Sequence, residues 1–150
     1  AQLILVGDGE RRSILEDLVL SLELKACRFV GFRSDIAALL EAAYVVALSS
    51  REEGLGSILL EAQARGVPIV ATNAGGIPEA VAHSRTGLVV PVGDVAAFAA
   101  SLLQLLNDPE QHRRFAQEAK EHIERNFSAA NIVDQHMTLY RQLLTHSANP

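Results

Sequence analysis

The sequence predicts an α/β protein in which a parallel sheet is covered by helices on both faces. Short, continuous apolar runs alternate with segments of helical periodicity as far as residue 90. Continuous apolar strands are typical of sheets that are buried on both sides. Their alternation with helices favours parallel pairing. We therefore expect ligands to bind beyond the carboxyl ends of the strands, as they do in folds of this kind.

Each element is predicted from local signals. The first apolar run ends at Gly7-Asp8-Gly9, a turn that leads into a helix. Ser34 is a good N-cap for the second helix, and Gly66 is expected to end the third as its C-cap. The predicted strands are 3–6, 28–31, 44–48, 68–71 and 87–90. The predicted helices are 10–22, 34–42, 57–65, 78–82, 94–106, 109–125 and 128–144.

Composition limits the classes of function. A chain of 150 residues, 49% of them hydrophobic, suffices for one compact domain with a sizeable core. The net charge of −5 argues against a nucleic-acid partner. The single cysteine, Cys27, excludes an internal disulfide framework and is interpreted as a buried structural thiol. No apolar run reaches the roughly 20 residues needed to span a bilayer.

Glu53 and Glu61 bracket the most informative stretch of the chain. Gly54 and Gly56 follow the first acid, and an apolar run of helical character begins at Ser57. The start of a helix attracts anions such as phosphate, and glycines leave room for them to approach. Two flanking acids can hold the hydroxyl groups of a ribose and a sugar, so the stretch suggests a nucleotide-sugar site. The plainer alternative is a pair of surface acids stabilised by the helix dipole, by about 0.3–1 kcal/mol each.

Several motifs in order along the chain resemble one enzyme family. The segments 53–72 and 75–79 are similar to the donor-site signature of retaining family 4 glycosyltransferases of the GT-B fold. The segments 5–9, 29–36 and 86–91 agree with the same pattern. The resemblance covers essentially the whole chain and identifies it as the C-terminal, Rossmann-like half of such an enzyme.

The resemblance implies a role for each matching residue. Glu61 corresponds to the carboxylate that binds the ribose hydroxyls, and Glu53 to the catalytic carboxylate at the donor sugar. The loop containing Phe32, Arg33 and Asp35 corresponds to the segment against the base. For Arg33 and Asp35, an exposed turn with an N-capping acid is an equal alternative. The diphosphate and sugar are assigned to Gly54, Leu55, Gly56 and Ser57.

The chain also departs from the family pattern. Leu55 stands where an aromatic residue is usual, and Ser57 replaces a common apolar residue. The family takes an arginine and a lysine for the diphosphate from a strand–helix unit that would precede Ala1. We therefore expect residues 1–150 to be a single, partial donor-binding domain that lacks this first unit and the N-terminal acceptor domain.

The function implied by the resemblance is retaining transfer of a sugar from a UDP- or GDP-sugar to an acceptor bound by the missing N-terminal domain. No cofactor and no metal are expected, and the five histidines lack metal-ligand spacing. We expect a cytoplasmic protein, and peripheral association of the full enzyme with the cytoplasmic face of the membrane is left open. Two alternatives also remain open: an isolated nucleotide-binding module without turnover, and a sugar-nucleotide epimerase-like enzyme.

Two further expectations concern packing. Gly75-Gly76 predicts a tight turn beside the site, and turn chemistry alone is enough to account for it. On the last predicted helix, apolar residues recur at helical spacing, and we expect this stripe to be unusually exposed because part of it is meant for the missing domain. The stripe consists of Ile132, Val133, Met137, Tyr140 and Leu144.

Overall fold

A computed structural model describes residues 1–147, and every predicted element is present in it with ends displaced by only a few residues. The strands are β1 Leu3–Val6, β2 Cys27–Gly31, β3 Val46–Leu48, β4 Ile69–Thr72 and β5 Gly87–Val90. The helices are α1 Arg12–Ser21, α2 Ile36–Ala42, α3 Ser57–Ala64, α4 Ile77–Ala80, α5 Val95–Asn107, α6 Pro109–Asn126 and α7 Ala129–Ser147.

All described strand pairs are parallel, which confirms the predicted α/β class. Their hydrogen bonds form two sheets, one of order β1-β2 and one of order β3-β4-β5, where the sequence predicts one. The chain correspondingly divides into a first compact unit, residues 1–39, and a second that begins at Leu40. An apolar strand has the same sequence pattern in one continuous sheet as in two separate sheets, so the sequence does not predict this division.

The core of the second unit lies on its central strand. All four residues of β4 are buried, as the continuous apolar pattern predicts. Val70 of β4 packs with Leu88 of β5, Leu105 of α5 and Phe115 of α6 in one cluster. Burial of an apolar side chain of this size contributes about 1.5–3 kcal/mol to the free energy of unfolding. This cluster packs β4 and β5 against helices α5 and α6.

The predicted glycine C-cap of α3 is confirmed. Gly66 has a φ of +73°, a left-handed conformation in which a Cβ is unfavourable. Its N–H donates to the Gln63 carbonyl at 2.9 Å, and the Val67 N–H donates to the Ala62 carbonyl at 3.0 Å. This pair of bonds satisfies the last carbonyls of the helix and turns the chain into β4.

The N-cap predicted at Ser34 is wrong by one residue. Helix α2 begins at Ile36, and the Asp35 carbonyl accepts the first bonds, from the N–H groups of Ala38 and Leu39. The Asp35 carboxylate is instead engaged by Arg33. A serine followed by an aspartate offers two acceptable caps, and helix α2 begins directly after the second of them.

The exposed apolar stripe of α7 is confirmed. Its five predicted members are all exposed, from 43% for Ile132 and Met137 to 72% for Leu144. An exposed surface of this kind is unusual for a helix that packs fully within its own domain.

His122 of α6 is expected to make the protein less stable in acid. Burial lowers the pKa of its imidazole below the usual 6.5, with the charges of Arg85 and Arg125 acting in the same direction and the Ala80 carbonyl opposing them. The unfolded state therefore binds a proton first, so stability is full above about pH 6.5 and is lost as pH falls towards the folded pKa. We expect the melting temperature of His122→Gln to fall less between about pH 7.5 and 5.5 than that of the wild type.

The Asn126 amide supports this prediction, because it donates to Nδ1 of His122 at 3.0 Å when that nitrogen carries no proton. Thermal unfolding followed by circular dichroism at both pH values measures the difference. His136→Gln, on the exposed helix α7, is the matched control. An equal loss of melting temperature in His122→Gln and the wild type would contradict the prediction.

Candidate functional site

Glu53 lies in the loop between β3 and α3, where the residue is half-buried. The Ser50 hydroxyl donates a hydrogen bond to Glu53 Oε2 at 3.2 Å. Thr72, the last residue of β4, donates from its own hydroxyl to the Ser50 carbonyl at 2.5 Å. The carboxyl ends of two neighbouring strands therefore hold the loop that carries this acid.

Gly75 and Gly76 pack directly against the same loop. The Gly76 N–H donates to the Gly54 carbonyl at 2.7 Å. A Cβ added at Gly75 would stand 1.8 Å from the Glu53 carbonyl oxygen, and one at Gly76 would stand 2.1 Å from the Gly54 carbonyl oxygen. Only glycine permits this approach of two backbones. Turn chemistry predicts a tight turn at this pair, but the sequence carries no signal for its contact with Glu53.

The start of α3 has the geometry predicted for an anion site. Gly56 is the N-cap residue, with φ +69° and ψ +63°, and no side chain caps the helix. The Leu59 N–H is bonded to the Gly56 carbonyl at 2.8 Å. The amides of Ser57 and Ile58, the first of the helix, have no intrahelical acceptor. The Gly54 position is also open, since an added Cβ there meets nothing within 4 Å.

Glu61 lies on α3, just over one turn inside the helix as predicted, and its side chain is exposed. Its carbonyl accepts a bond from Arg65, while its carboxylate has no hydrogen-bond partner among the described residues. An exposed, unpaired carboxylate of this kind is able to accept hydrogen bonds from hydroxyl groups. Leu55, in the loop before the helix, is 39% exposed.

The first unit contains the loop assigned to the base. Phe32 is 78% exposed, so its ring is free to stack on a flat ligand. Arg33 donates to the Asp35 carboxylate, with Nε at 2.7 Å from Oδ1. This hydrogen bond lowers the pKa of Asp35. The ion pair fits the exposed-turn alternative for Arg33 and Asp35, and their role against a base stays a prediction.

Asp8 supports that loop, a role for which the sequence argument assigned no residue. Its Oδ2 accepts the Phe32 N–H at 2.8 Å, and the Arg12 guanidinium donates to its other oxygen. The Arg12 hydrogen bond, followed by the Phe32 amide, lowers the pKa of Asp8. Gly31, with φ +68°, leaves the space that the Asp8 carboxylate occupies. The available signal was the acid in the Gly7-Asp8-Gly9 turn.

The two groups of predicted residues therefore fall into separate units. Glu53, Glu61 and the start of α3 belong to the second unit, and Phe32, Arg33 and Asp35 belong to the first. Within the second unit, two carboxylates flank a helix start whose amides are available to an anion. Such an arrangement suits a ligand that carries both phosphate and hydroxyl groups.

Comparison with known proteins identifies the family. Residues 1–122 match the model of the family described as glycosyl transferases group 1. The chain belongs to this family, as its sequence motifs predict. Superposition on solved glycosyltransferase structures confirms the GT-B type of α/β fold.

The chain is 38% identical over 150 residues to N-acetyl-alpha-D-glucosaminyl L-malate synthase of Bacillus anthracis, covering 99% of this chain and 39% of that protein. It is 41% identical over 143 residues to D-inositol 3-phosphate glycosyltransferase of Corynebacterium urealyticum, covering 93% of this chain and 34% of that protein. Among solved structures, HepE of Anabaena in complex with UDP-glucose superposes with a TM-score of 0.83 at 31% identity, over 93% of this chain and 41% of HepE. The chain thus spans between about a third and two fifths of the length of these relatives.

None of the helices within residues 1–147 combines the length and the apolar character needed to cross a bilayer.

Proposed function

We propose that the chain is the donor-binding domain of a retaining glycosyltransferase that uses a UDP- or GDP-sugar. The observation that carries this proposal is the pair Glu53 and Glu61 on either side of the uncapped start of α3. HepE, a similar protein of known structure, binds UDP-glucose. The proposal adds an N-terminal acceptor domain outside this chain and a cytoplasmic location, with peripheral membrane association of the full enzyme left open.

In this proposal, each chemical group of the nucleotide-sugar contacts residues that are able to bind it. The exposed Glu61 carboxylate accepts hydrogen bonds from the ribose hydroxyls, and the Ser57 amide at the helix start meets the diphosphate. Leu55 and the two glycines beside it line the path between phosphate and sugar. Phe32 offers its ring to the base, next to the pair formed by Arg33 and Asp35.

Glu53 is assigned to the sugar and the reacting centre. During transfer, the bond between the anomeric carbon and the diphosphate breaks, and its electron pair leaves with the diphosphate. The acceptor hydroxyl bonds to the same carbon, and its proton passes to an oxygen of the leaving diphosphate. Positive charge develops on the sugar meanwhile, and a fixed carboxylate beside it stabilises that charge. The donors at the start of α3 stabilise the negative charge that develops on the leaving diphosphate.

Glu61→Ala is expected to weaken binding of UDP or GDP by about 10- to 150-fold, because an ionised acceptor of ribose hydrogen bonds, worth about 1.5–3 kcal/mol, is lost. Glu53→Ala is expected to weaken binding of the free nucleotide much less, since the free nucleotide carries no sugar. Isothermal titration calorimetry with UDP and GDP measures both variants.

Glu124→Ala is the matched control, because Glu124 is an exposed glutamate on a different helix, α6. If Glu61→Ala binds the nucleotide as tightly as the wild type does, Glu61 does not hold the ribose. A preference for UDP over GDP, or the reverse, identifies the base of the donor in the same experiment.

A further inference from the structure

Ser50 makes the one described hydrogen bond to the Glu53 carboxylate within the part of the chain that the structure covers. We propose that Ser50 is a positioning residue that holds Glu53 in place for the donor sugar. This inference rests on the proposed function of Glu53 and adds a residue to it. Ser50 itself is not assigned to the donor, because its single hydroxyl proton is used by Glu53.

The backbone on both sides of Glu53 is held independently of the Ser50 side chain. The Thr72 hydroxyl, in a residue only 5% exposed, bonds the Ser50 carbonyl at 2.5 Å. The Gly76 N–H bonds the Gly54 carbonyl at 2.7 Å. Removal of the Ser50 hydroxyl therefore leaves both anchors of the loop in place. Without the hydroxyl, the Glu53 side chain is free to rotate, because the hydrogen bond to Oε2 that restrains it is lost.

The hydrogen bond from Ser50 also gives the two carboxylate oxygens of Glu53 different roles. Oε2 accepts from Ser50, while Oε1 has no partner among the described residues and is available to the donor. A carboxylate held through one oxygen loses less freedom when the sugar binds, and it keeps its place as charge develops in the transition state. Ser50→Ala should therefore lower kcat rather than weaken the binding of nucleotide.

The test is a double-mutant cycle in the full-length gene product, with Ser50→Ala, Glu53→Ala and the double variant. Release of UDP from UDP-glucose and of GDP from GDP-glucose is followed, and Kd for UDP and GDP is measured beside it. Ser50→Ala is expected to lower kcat about tenfold, the loss of one hydrogen bond to a charged group, with Kd for the nucleotide unchanged. In the Glu53→Ala background, where the acceptor of the Ser50 hydroxyl is absent, Ser50→Ala should have no further effect on kcat.

Two other variants separate positioning from a general structural role. Ser50→Thr keeps the hydroxyl and should restore kcat to within a few-fold of the wild type, while Ser101→Ala, a serine substitution on the remote helix α5, should leave it unchanged. Crystal structures of the full-length wild type and Ser50→Ala test the geometry without reference to turnover. The Glu53 carboxylate should be displaced, or occupy several conformers, in the variant.

The outcomes distinguish this inference from the proposed function. A Glu53 carboxylate that stays in place in Ser50→Ala overturns the positioning role, as does full kcat in Ser50→Ala when Glu53→Ala is impaired. Equal losses from Ser50→Ala with and without Glu53→Ala also overturn it, because the effect would not pass through Glu53. Full activity in Glu53→Ala instead overturns the proposed role of Glu53.

Discussion

Gly75→Ala is expected to lower the free energy of unfolding by about 3 kcal/mol or more and to abolish measurable nucleotide-sugar binding. The added Cβ would lie 1.8 Å from the Glu53 carbonyl oxygen, and Gly75 has a φ of +50°, which disfavours any other residue. The atom in the way belongs to the backbone, so no side-chain rotation relieves the clash. The loop that carries Glu53 must therefore move away from the turn at residues 75–76, and the start of α3 follows it.

Gly54→Ala is the control for stability, because its Cβ would meet nothing within 4 Å. Its melting temperature should stay close to that of the wild type. Thermal unfolding compares the variants, and calorimetry with UDP-glucose measures binding. If Gly75→Ala and Gly54→Ala unfold at the same temperature, the backbone contact between Gly75 and Glu53 does not exist in solution.

The isolated chain is expected to show no glycosyl transfer and to bind nucleotide at least about 100-fold more weakly than the full-length protein. Glu53 and Glu61 bring two negative charges to a site that must accept a dianionic diphosphate. The helix dipole of α3 offers only about half a positive charge. Arg51 is the nearest cation in the same loop, and it is exposed.

Resemblance to the family implies that an upstream arginine and lysine supply the missing charge, at about 1.5–3 kcal/mol for each charge-assisted contact. Under the proposed function the acceptor is bound outside residues 1–150, so these residues alone would not hold the two substrates in attack geometry. The measurement is a donor-turnover assay and a nucleotide titration on the chain and on the full-length protein side by side. Comparable turnover, or similar affinity, would place the positive charge of the site within residues 1–150.

The sequence by itself determined the local structure of this protein. Glycine at position 66 predicted the end of α3, and the Glu53-Gly54-Leu55-Gly56 run predicted the helix start at Ser57. These signals are local, since a cap or a turn depends on residues a few positions apart. The apolar stripe of α7 was predicted for the same reason, because helical periodicity alone places its members on one face.

Only the tertiary structure decided which groups meet at the site. Thr72 bonds the carbonyl of Ser50, which is 22 residues away in the chain, and Asp8 accepts from the amide of Phe32, which is 24 residues away. The contact of Gly75 with Glu53 and the division of the strands into two sheets are likewise long-range. Such contacts depend on how whole strands and helices pack against one another. Many residue pairs with similar chemistry fit the same local sequence pattern, so the pattern does not identify the pair that meets. The sequence therefore identified the two acids and the helix start between them, while the folded backbone determined what holds Glu53 in place.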